Sequence, residues 1–157
     1  MCGAPNLSPL SSKYPIGYIE IRTFSHATED VEKVQTAVKN TLPDKLAEEL
    51  IFTQTSLTGH HNNPIVLLEA KLTNKTTLPT LLEKIAAALS PLDKERFTTE
   101  LGQHIERHNL YLRLDKQNAY IGKLTFSSID PIHFKIHFKN KTPEEIEQIC
   151  RTVGLLS

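Results

Sequence analysis

The alternation of apolar and polar side chains over residues 132–139 is typical of a β-strand with one buried face. We expect the apolar positions to face a core and the polar positions to face outward. The outward set is His133, Lys135, His137 and Lys139. The same period of two over residues 18–24 predicts a second half-buried strand.

Four shorter apolar stretches predict further strands, at residues 51–57, 64–72, 110–114 and 123–127. The segment between the first two runs from Thr58 to Asn63 and is rich in residues that tolerate a positive φ. A β-hairpin is therefore expected here.

Apolar stripes at helical spacing separate the strands, and residues with capping chemistry mark where helices begin. We predict a helix capped by Thr28, a second capped by Thr77, and a third that begins at Ser90 and continues to about residue 105. A capping box, Thr142 with Glu145, opens the last helix. Shorter helical turns are expected near residues 46–51 and 115–120.

Short strands joined by turns, three of them with one polar face, predict an α+β fold. The expected architecture is a two-layer sandwich in which an antiparallel or mixed sheet of about six strands carries helices on one face. A chain of 157 residues is long enough to bury a substantial core. We expect residues 1–15, which contain three prolines, to form a flexible arm and residues 16–157 to form a single domain.

Charge is balanced overall but unevenly placed. The chain has 18 Lys and Arg against 18 Asp and Glu, which excludes a uniformly basic polyanion binder. Residues 104–141, however, hold seven Lys or Arg, three Asp or Glu and four of the seven histidines. Such a basic strand region is typical of a surface that contacts phosphates, and equally of a solvated sheet whose lysines protect its edges. Both interpretations stay open on the pattern alone.

Other chemistry is sparse in the sequence. The two cysteines, Cys2 and Cys150, have no zinc or redox spacing, and no apolar run resembles a signal peptide or a membrane helix. We therefore expect a cytoplasmic protein with free thiols, no cofactor, no metal and no membrane contact. His104 and His108, four residues apart, together with the pair His60 and His61, leave a metal-dependent hydrolase as a less favoured alternative.

Two segments, residues 57–70 and 109–122, resemble an archaeal family of small RNA-binding proteins described as predicted exosome subunits. The resemblance covers about residues 16–140. It implies a fold similar to that of the large-subunit ribosomal protein that binds 5S RNA, and RNA binding without catalysis. One departure is Asn62, where the family usually has glycine; asparagine is the next best residue for a left-handed turn.

The resemblance and the charge pattern each nominate RNA-binding residues. The resemblance implies three in the second segment and three in the hairpin, namely Arg113, Lys116, Gln117, Gly59, His60 and Asn63. The charge pattern adds Lys123, His133, Lys135, His137 and Lys139. Arginine and lysine would neutralise phosphates, while glutamine and asparagine would hydrogen-bond sugars or base edges. An alternative role for Asp115 is to orient Arg113 or Lys116, which would make that cluster structural.

These observations predict a non-enzymatic protein that recognises structured RNA through backbone and shape. Association with the exosome or with ribosome-related proteins follows only from the resemblance. A module that docks an acidic protein partner is the alternative, and the oligomeric state stays open, a homodimer included. The seven histidines also predict tighter RNA binding at pH 6 than at pH 8.

Overall fold

A computed structural model describes residues 15–157, so the predicted arm, apart from Pro15, lies outside the described residues. The strands are β1 (Ile16–Ser25), β2 (Thr53–Thr58), β3 (Pro64–Leu72), β4 (Ile105–Glu106), β5 (Asn109–Asp115) and β6 (Pro131–Phe138). The helices are α1 (Val31–Asn40), α2 (Asp44–Glu49), α3 (Pro79–Ala88), α4 (Pro91–Thr99), α5 (Leu101–His104), α6 (Lys116–Tyr120) and α7 (Pro143–Val153). A 3-10 turn at His60–Asn62 joins β2 to β3.

The strands form one antiparallel sheet in the order β2-β3-β1-β6-β5-β4. This confirms the predicted α+β class and a six-stranded sheet with helices against one face. The central strand pairs place β1 between β3 and β6, and β5 on the far side of β6. Strands from the two ends of the chain therefore meet in the middle of the sheet.

The inward face of β6 confirms the prediction from alternation. Its four apolar side chains are fully buried, and they are Ile132, Phe134, Ile136 and Phe138. They belong to one buried apolar cluster whose members run from Ile16 to Leu156 and include the inner faces of α1, α3 and α7. Burial at alternate positions fixes the register, because a one-residue slip would turn every apolar side chain toward solvent.

Local capping chemistry is confirmed at two helix starts and was wrongly assigned at two others. Thr142 and Glu145 form the predicted capping box of α7, and Ser90 caps α4. The cap of α1, however, is Asp30, whose carboxylate accepts from the Glu32 N–H, instead of Thr28. Thr77 lies in the turn before α3, where its hydroxyl donates to the Asn74 carbonyl.

The strand predicted over residues 123–127 is wrong. This segment makes a single β-bridge, between Phe126 and Leu114, and otherwise lies along the edge of β5 as a loop. Two backbone hydrogen bonds accompany the bridge, from the Asp115 N–H to the Thr125 carbonyl at 2.8 Å and from the Ser127 N–H to the Arg113 carbonyl at 3.1 Å. The Phe126 N–H instead donates to the carboxylate of Asp93 on α4 at 3.2 Å, and the pairing with β5 does not extend into a ladder. The sixth strand is instead the two-residue β4, which follows α5 directly.

Within residues 15–157, no helix has the length and apolar character that crossing a membrane requires. Cys150 lies on the inner face of α7 as a free thiol, and burial raises its pKa to about 12. Cys2 lies outside the described residues.

Candidate nucleic-acid interface

The side of the sheet opposite the core carries polar and aromatic side chains from four adjacent strands. They come from the alternate, outward positions of β1, β3, β5 and β6. We call this surface the open face. It consists of Tyr18, Glu20, Arg22, Glu69, Lys71, Asn109, Tyr111, Arg113, His133, Lys135 and His137. Lysine and arginine outnumber glutamate on it, so the face has a positive balance.

Two arginines flank one histidine in a row across the open face. His133 on β6 pairs with Arg22 on β1 and with Arg113 on β5. Directly opposed residues of antiparallel strands hold their Cβ atoms about 5 Å apart, so the three side chains are immediate neighbours. Both arginines are exposed, and neither lies within 4.0 Å of a carboxylate of the described chain.

The row has a locally positive charge, although Glu69 on β3 lies directly opposite Arg22. Burial of the half-buried His133 ring lowers its pKa, and the charges of Arg113 and Arg22 lower it further. The imidazole is therefore neutral near pH 7, with a guanidinium on each side. Guanidinium groups present forked donors that match the two oxygens of a phosphate. The row thus places two such groups on either side of β6.

A second row holds its side chains by stacking. The rings of Tyr18 and His137 are stacked at 4.8 Å between centroids, and the ammonium of Lys71 lies 4.4 Å from the centre of the Tyr18 ring. The His137 ring N–H donates to the side-chain oxygen of Asn109 at 2.9 Å. Burial, with His108 and Lys135 nearby, lowers the pKa of His137. This row thus fixes the position of Lys71 and leaves its charge available.

Between the two rows lies a shallow depression of about 440 Å³. Arg22, Lys71 and Lys135 line it with Glu20 and Glu69, whereas Arg113 does not. Tyr111 and His133 also line it, and their rings lie 5.6 Å apart. The ammonium of Lys135 lies 3.8 Å from a carboxylate oxygen of Glu20. This ion pair is long and partly exposed, so it contributes little to stability. The depression therefore combines cations with one aromatic ring on a sheet surface. In RNA-binding proteins, cations of this kind contact phosphates and an aromatic ring stacks on an unpaired base.

Two lysines continue the positive surface beyond the end of the sheet. Lys139 follows β6, and its Cγ would lie 3.4 Å from a Cβ built on Gly17 of β1. The pKa of the exposed Lys75 is lowered, chiefly by its contact with Lys139. Two ammonium groups placed side by side repel each other, and a bound phosphate would relieve that repulsion.

Comparison with known proteins identifies the family of this chain. A family model described as RNA binding matches residues 18–138. The chain belongs to this RNA-binding family. It is 32% identical to the RNA-binding protein PAB1135 of Pyrococcus abyssi over 147 residues, which cover 92% of this chain and 95% of that protein.

Solved structures of archaeal proteins share the fold of this family member. Mth689, a DUF54 protein from Methanothermobacter thermautotrophicus, superimposes with a TM-score of 0.72 at 30% identity, over 88% of this chain and 98% of that one. Protein SSO0741 from Sulfolobus solfataricus gives a TM-score of 0.70 at 25% identity, over 87% and 96% of the two chains. The open face is thus displayed on a framework common to several archaeal proteins.

Five of the sequence-predicted residues of this RNA-binding family member come together on one surface. Four of them, Arg113, His133, Lys135 and His137, lie on the open face, and Lys139 extends it. The first four share an outward position on β5 or β6, which the alternation of the sequence indicates. We retain these five residues as RNA-contact candidates.

Lys116 lies elsewhere and is engaged in the fold. Its side chain is only 3% exposed, and its ammonium donates to the Phe24 carbonyl at 2.7 Å and to Glu29 at 2.8 Å, with Asp130 also at 2.8 Å. All three N–H bonds of the ammonium are thereby used. The structure therefore assigns this residue a structural role and removes it from the candidate surface.

Gln117 and Lys123 also lie away from the open face. Gln117 is exposed at the start of α6 and lines a depression beside α1. Lys123 is exposed in the loop after α6, where its N–H donates to the Asn118 carbonyl at 2.9 Å. Asp115, which the sequence left as a partner of Arg113 or Lys116, instead caps α6 by accepting from the Asn118 N–H.

The hairpin candidates lie at the opposite end of the sheet from Lys139. Gly59, His60 and Asn63 form the tip, closed by a hydrogen bond from the Gly59 N–H to the Asn63 carbonyl at 2.7 Å. Asn62 has a φ of 61°, which confirms the predicted left-handed conformation. The tip is about 30 Å from the end of β3 at roughly 3.3 Å per strand residue, so the hairpin candidates form a group separate from Lys139.

The two histidine pairs of the metal-site alternative do not converge on a shared site. The pair at the hairpin tip belongs to the edge formed by β2 and β3, while His104 and His108 lie near β4 at the other edge. Among residues 15–157, one group with metal-ligand geometry occurs, formed by His26, Glu29 and Asp130. The ammonium of Lys116 contacts both of its carboxylates at 2.8 Å, so a protein cation already neutralises that group.

The prediction from sequence missed Arg22, Lys71 and Lys75. Arg22 occupies an outward position of the strand predicted over residues 18–24, so the alternation already indicated its exposure. What the sequence does not contain is the strand order that makes Arg22 a neighbour of His133. A search for outward cations on every predicted strand would have found Arg22 and Lys71.

Proposed function

We propose that this protein binds structured RNA on the open face, mainly through the phosphate backbone, and acts by binding instead of by catalysis. The observation that supports this most strongly is the row in which Arg22 and Arg113 flank the neutral His133. Two exposed guanidinium groups at neighbouring strand positions are matched to phosphate oxygens. Membership of the RNA-binding family supports RNA as the source of those phosphates.

Fluorescence anisotropy tests this proposal directly. A labelled structured RNA, a single-stranded RNA and a duplex DNA are titrated with the protein at several salt concentrations. We expect the structured RNA to bind most tightly, with an affinity that falls linearly on a log–log plot against salt. Failure of all three to bind at low salt would contradict the proposal.

Removing two lysines from the positive surface will change the salt dependence more than the specificity. In the double variant Lys135→Gln with Lys139→Gln, up to two phosphate contacts are lost. The log–log salt slope should then flatten by about 1.4 to 1.8, and affinity should fall to a similar extent for different RNA sequences.

A matched control uses Lys33→Gln with Lys94→Gln, which removes the same charge from α1 and α4. That variant should keep the wild-type slope. If both double variants flatten the slope equally, net charge and not the open face determines binding.

RNA binding should also take up a proton at His133. The pKa of His133 is lowered in the free protein, first by burial and then by Arg113 and Arg22. A phosphate between the arginines offsets their charge and raises that pKa, so affinity increases as pH falls below the usual value of 6.5. The expected range is thus more acidic than the interval from pH 8 to pH 6 that composition suggests.

The affinity of the wild type for RNA should be several-fold higher at pH 5.5 than at pH 7.5, in line with uptake of up to one proton. His133→Gln should lose this rise, while His61→Gln at the hairpin tip keeps it. An unchanged rise in His133→Gln would assign the pH effect to another group.

The resemblance to predicted exosome subunits extends the proposal to RNA processing or degradation in the cytoplasm. Immobilised protein should then retain components of that machinery from an extract of an archaeal cell. Treatment with nuclease distinguishes the kinds of contact, because partners held by shared RNA are released and partners held by protein contacts remain.

One observation favours protein docking as a second function. All six residues of the edge strand β2 are exposed, and one side of its backbone has no neighbouring strand within residues 15–157. Ile51, next to this strand, is 82% exposed. An extended segment of a partner can pair with such an edge. Retention of a partner after nuclease treatment, and its loss in Thr55→Pro, would support this function.

A further inference from the structure

A second pocket opens at the outer edge of β5, beside the open face. The short β4 pairs only with Asn109 and Leu110, so it leaves the rest of that edge to the loop 123–130. The pocket lies between this loop and helices α4 and α5, with a volume of about 410 Å³. That volume is within the range of about 300–1,000 Å³ typical of small-molecule sites.

The pocket and the open face share one residue. Arg113 belongs to the arginine row of the open face and also lines the pocket. An RNA strand with a phosphate bound to Arg113 therefore passes the mouth of the pocket. Arg96 on α4 lines the same pocket and is exposed, so a second guanidinium is available there.

The inner wall of the pocket is aromatic. Phe97 is buried and stacks on Phe126 at 5.1 Å between centroids, with an angle of 26° between the rings. Phe126 is half-buried and lines the pocket with the accessible part of its ring. The hydrogen bond from its N–H to Asp93 holds the ring in place. An aromatic surface of this kind binds the flat face of any nucleobase.

Polar groups around the aromatic wall suit the edge of a base. Gln103 and Ser128 line the pocket, are exposed, and can each donate and accept hydrogen bonds. The half-buried His104 donates from Nδ1 to the Tyr111 carbonyl at 3.1 Å, which leaves Nε2 as an acceptor. Glu100, 3.9 Å from that nitrogen, is the one acidic residue that lines the pocket, against two arginines.

We propose that this pocket takes one unpaired nucleotide of the bound RNA, with its base against Phe126 and its phosphate between Arg96 and Arg113. The inference rests on the proposed function, because the open face is what delivers the RNA chain to Arg113. It makes the preferred target a structured RNA that carries a bulged or looped nucleotide next to a paired stem.

The test compares three probes, namely an RNA hairpin with one bulged uridine, the same hairpin fully paired, and free uridine monophosphate. The variants are Arg96→Gln, Gln103→Ala and Ser128→Trp, the last of which fills the pocket. All three replace exposed residues, so the fold is retained. Arg151→Gln on α7 is the control for loss of one arginine.

The wild type should prefer the bulged hairpin by roughly 5- to 10-fold, the low end of the effect of stacking one base. Each pocket variant should lose that preference while its affinity for the paired hairpin stays within about twofold, except that Arg96→Gln loses slightly more. Arg151→Gln should behave as the wild type. A 4-thiouridine in place of the bulged base should crosslink to the peptide that contains Phe126.

Three outcomes separate the possibilities. If the pocket variants keep the preference while Lys135→Gln with Lys139→Gln weakens binding, the pocket inference is overturned and the open face stands. If free uridine monophosphate binds as tightly as the bulged hairpin and competes with it, the pocket serves a free nucleotide and the inference is again wrong. If no RNA binds to the wild type, the proposed function and the inference both fail.

Discussion

Replacing Arg22 and Arg113 together with glutamine will weaken binding of structured RNA by roughly 10- to 100-fold, which is 1.4–2.8 kcal/mol. The two guanidinium groups flank His133 across three strands and lack a carboxylate partner within 4.0 Å among residues 15–157. A hydrogen bond to a charged group contributes about 1.5–3 kcal/mol, and exposure reduces that value. The measurement is anisotropy at one fixed salt concentration.

Conservative and remote variants show whether geometry or charge matters. Arg22→Lys with Arg113→Lys keeps the charge but removes the fork, so it should recover only part of the affinity. Lys33→Gln with Arg151→Gln removes equal charge from α1 and α7 and should leave affinity within about threefold of wild type. If the double glutamine variant binds as well as this control, the arginine row is not the phosphate site.

Replacing Lys116 with methionine will lower the free energy of unfolding by about 2–3 kcal/mol. The buried ammonium supports the Phe24 carbonyl, Glu29 and Asp130 at once, and an apolar side chain leaves them unpaired. The two carboxylates are partly exposed and can rehydrate, so the loss is smaller than for a fully buried pair. For a chain of this size the Tm should fall by roughly 4–12 °C.

The stability difference between the wild type and Lys116→Met should depend on pH. Burial alone would raise the pKa of Asp130, but its hydrogen bonds and ion pairs with Lys116 and His26 lower it below 3.8. A carboxylate whose pKa is lower in the folded state than in the unfolded state stabilises the fold at pH values above the unfolded-state pKa. This stabilisation is lost as the pH falls through the folded-state pKa. The difference between wild type and Lys116→Met should therefore be largest at neutral pH and shrink below about pH 4.

Lys33→Met is the matched control, because Lys33 is an exposed lysine in the depression that Lys116 and Glu29 also line. Its effect on stability should stay within about 0.5 kcal/mol. A loss below about 1 kcal/mol for Lys116→Met, measured by denaturant unfolding, would contradict the structural role assigned to this cluster.

The elements that the sequence predicts well are those whose signals are local. Alternation over β6 needs only neighbouring residues to show which side chains are buried, and the capping box of α7 is complete within four residues. The left-handed conformation of Asn62 is expected from the family resemblance, because asparagine stands where the family usually has glycine. Each of these features depends on residues close together in the chain.

The elements that the sequence predicts poorly depend on distant partners. Residues 123–127 have a strand-like pattern, but they form a single bridge with β5, and Asp93, 33 residues from Phe126, accepts the Phe126 N–H. Lys116 has the sequence of a surface helix residue, and its burial depends on Glu29, 87 residues away. The arginine row likewise needs β1, β5 and β6 side by side, an order that tertiary pairing alone determines.

The most direct test of the central claim is an NMR titration of the labelled protein with a structured RNA hairpin. The account predicts that the largest shifts fall on the open face, at Arg22, Tyr111, Arg113, His133 and Lys135, with small shifts on α1 and α6. Shifts concentrated on α1 and α6, or along β2, with the open face unchanged, would contradict it.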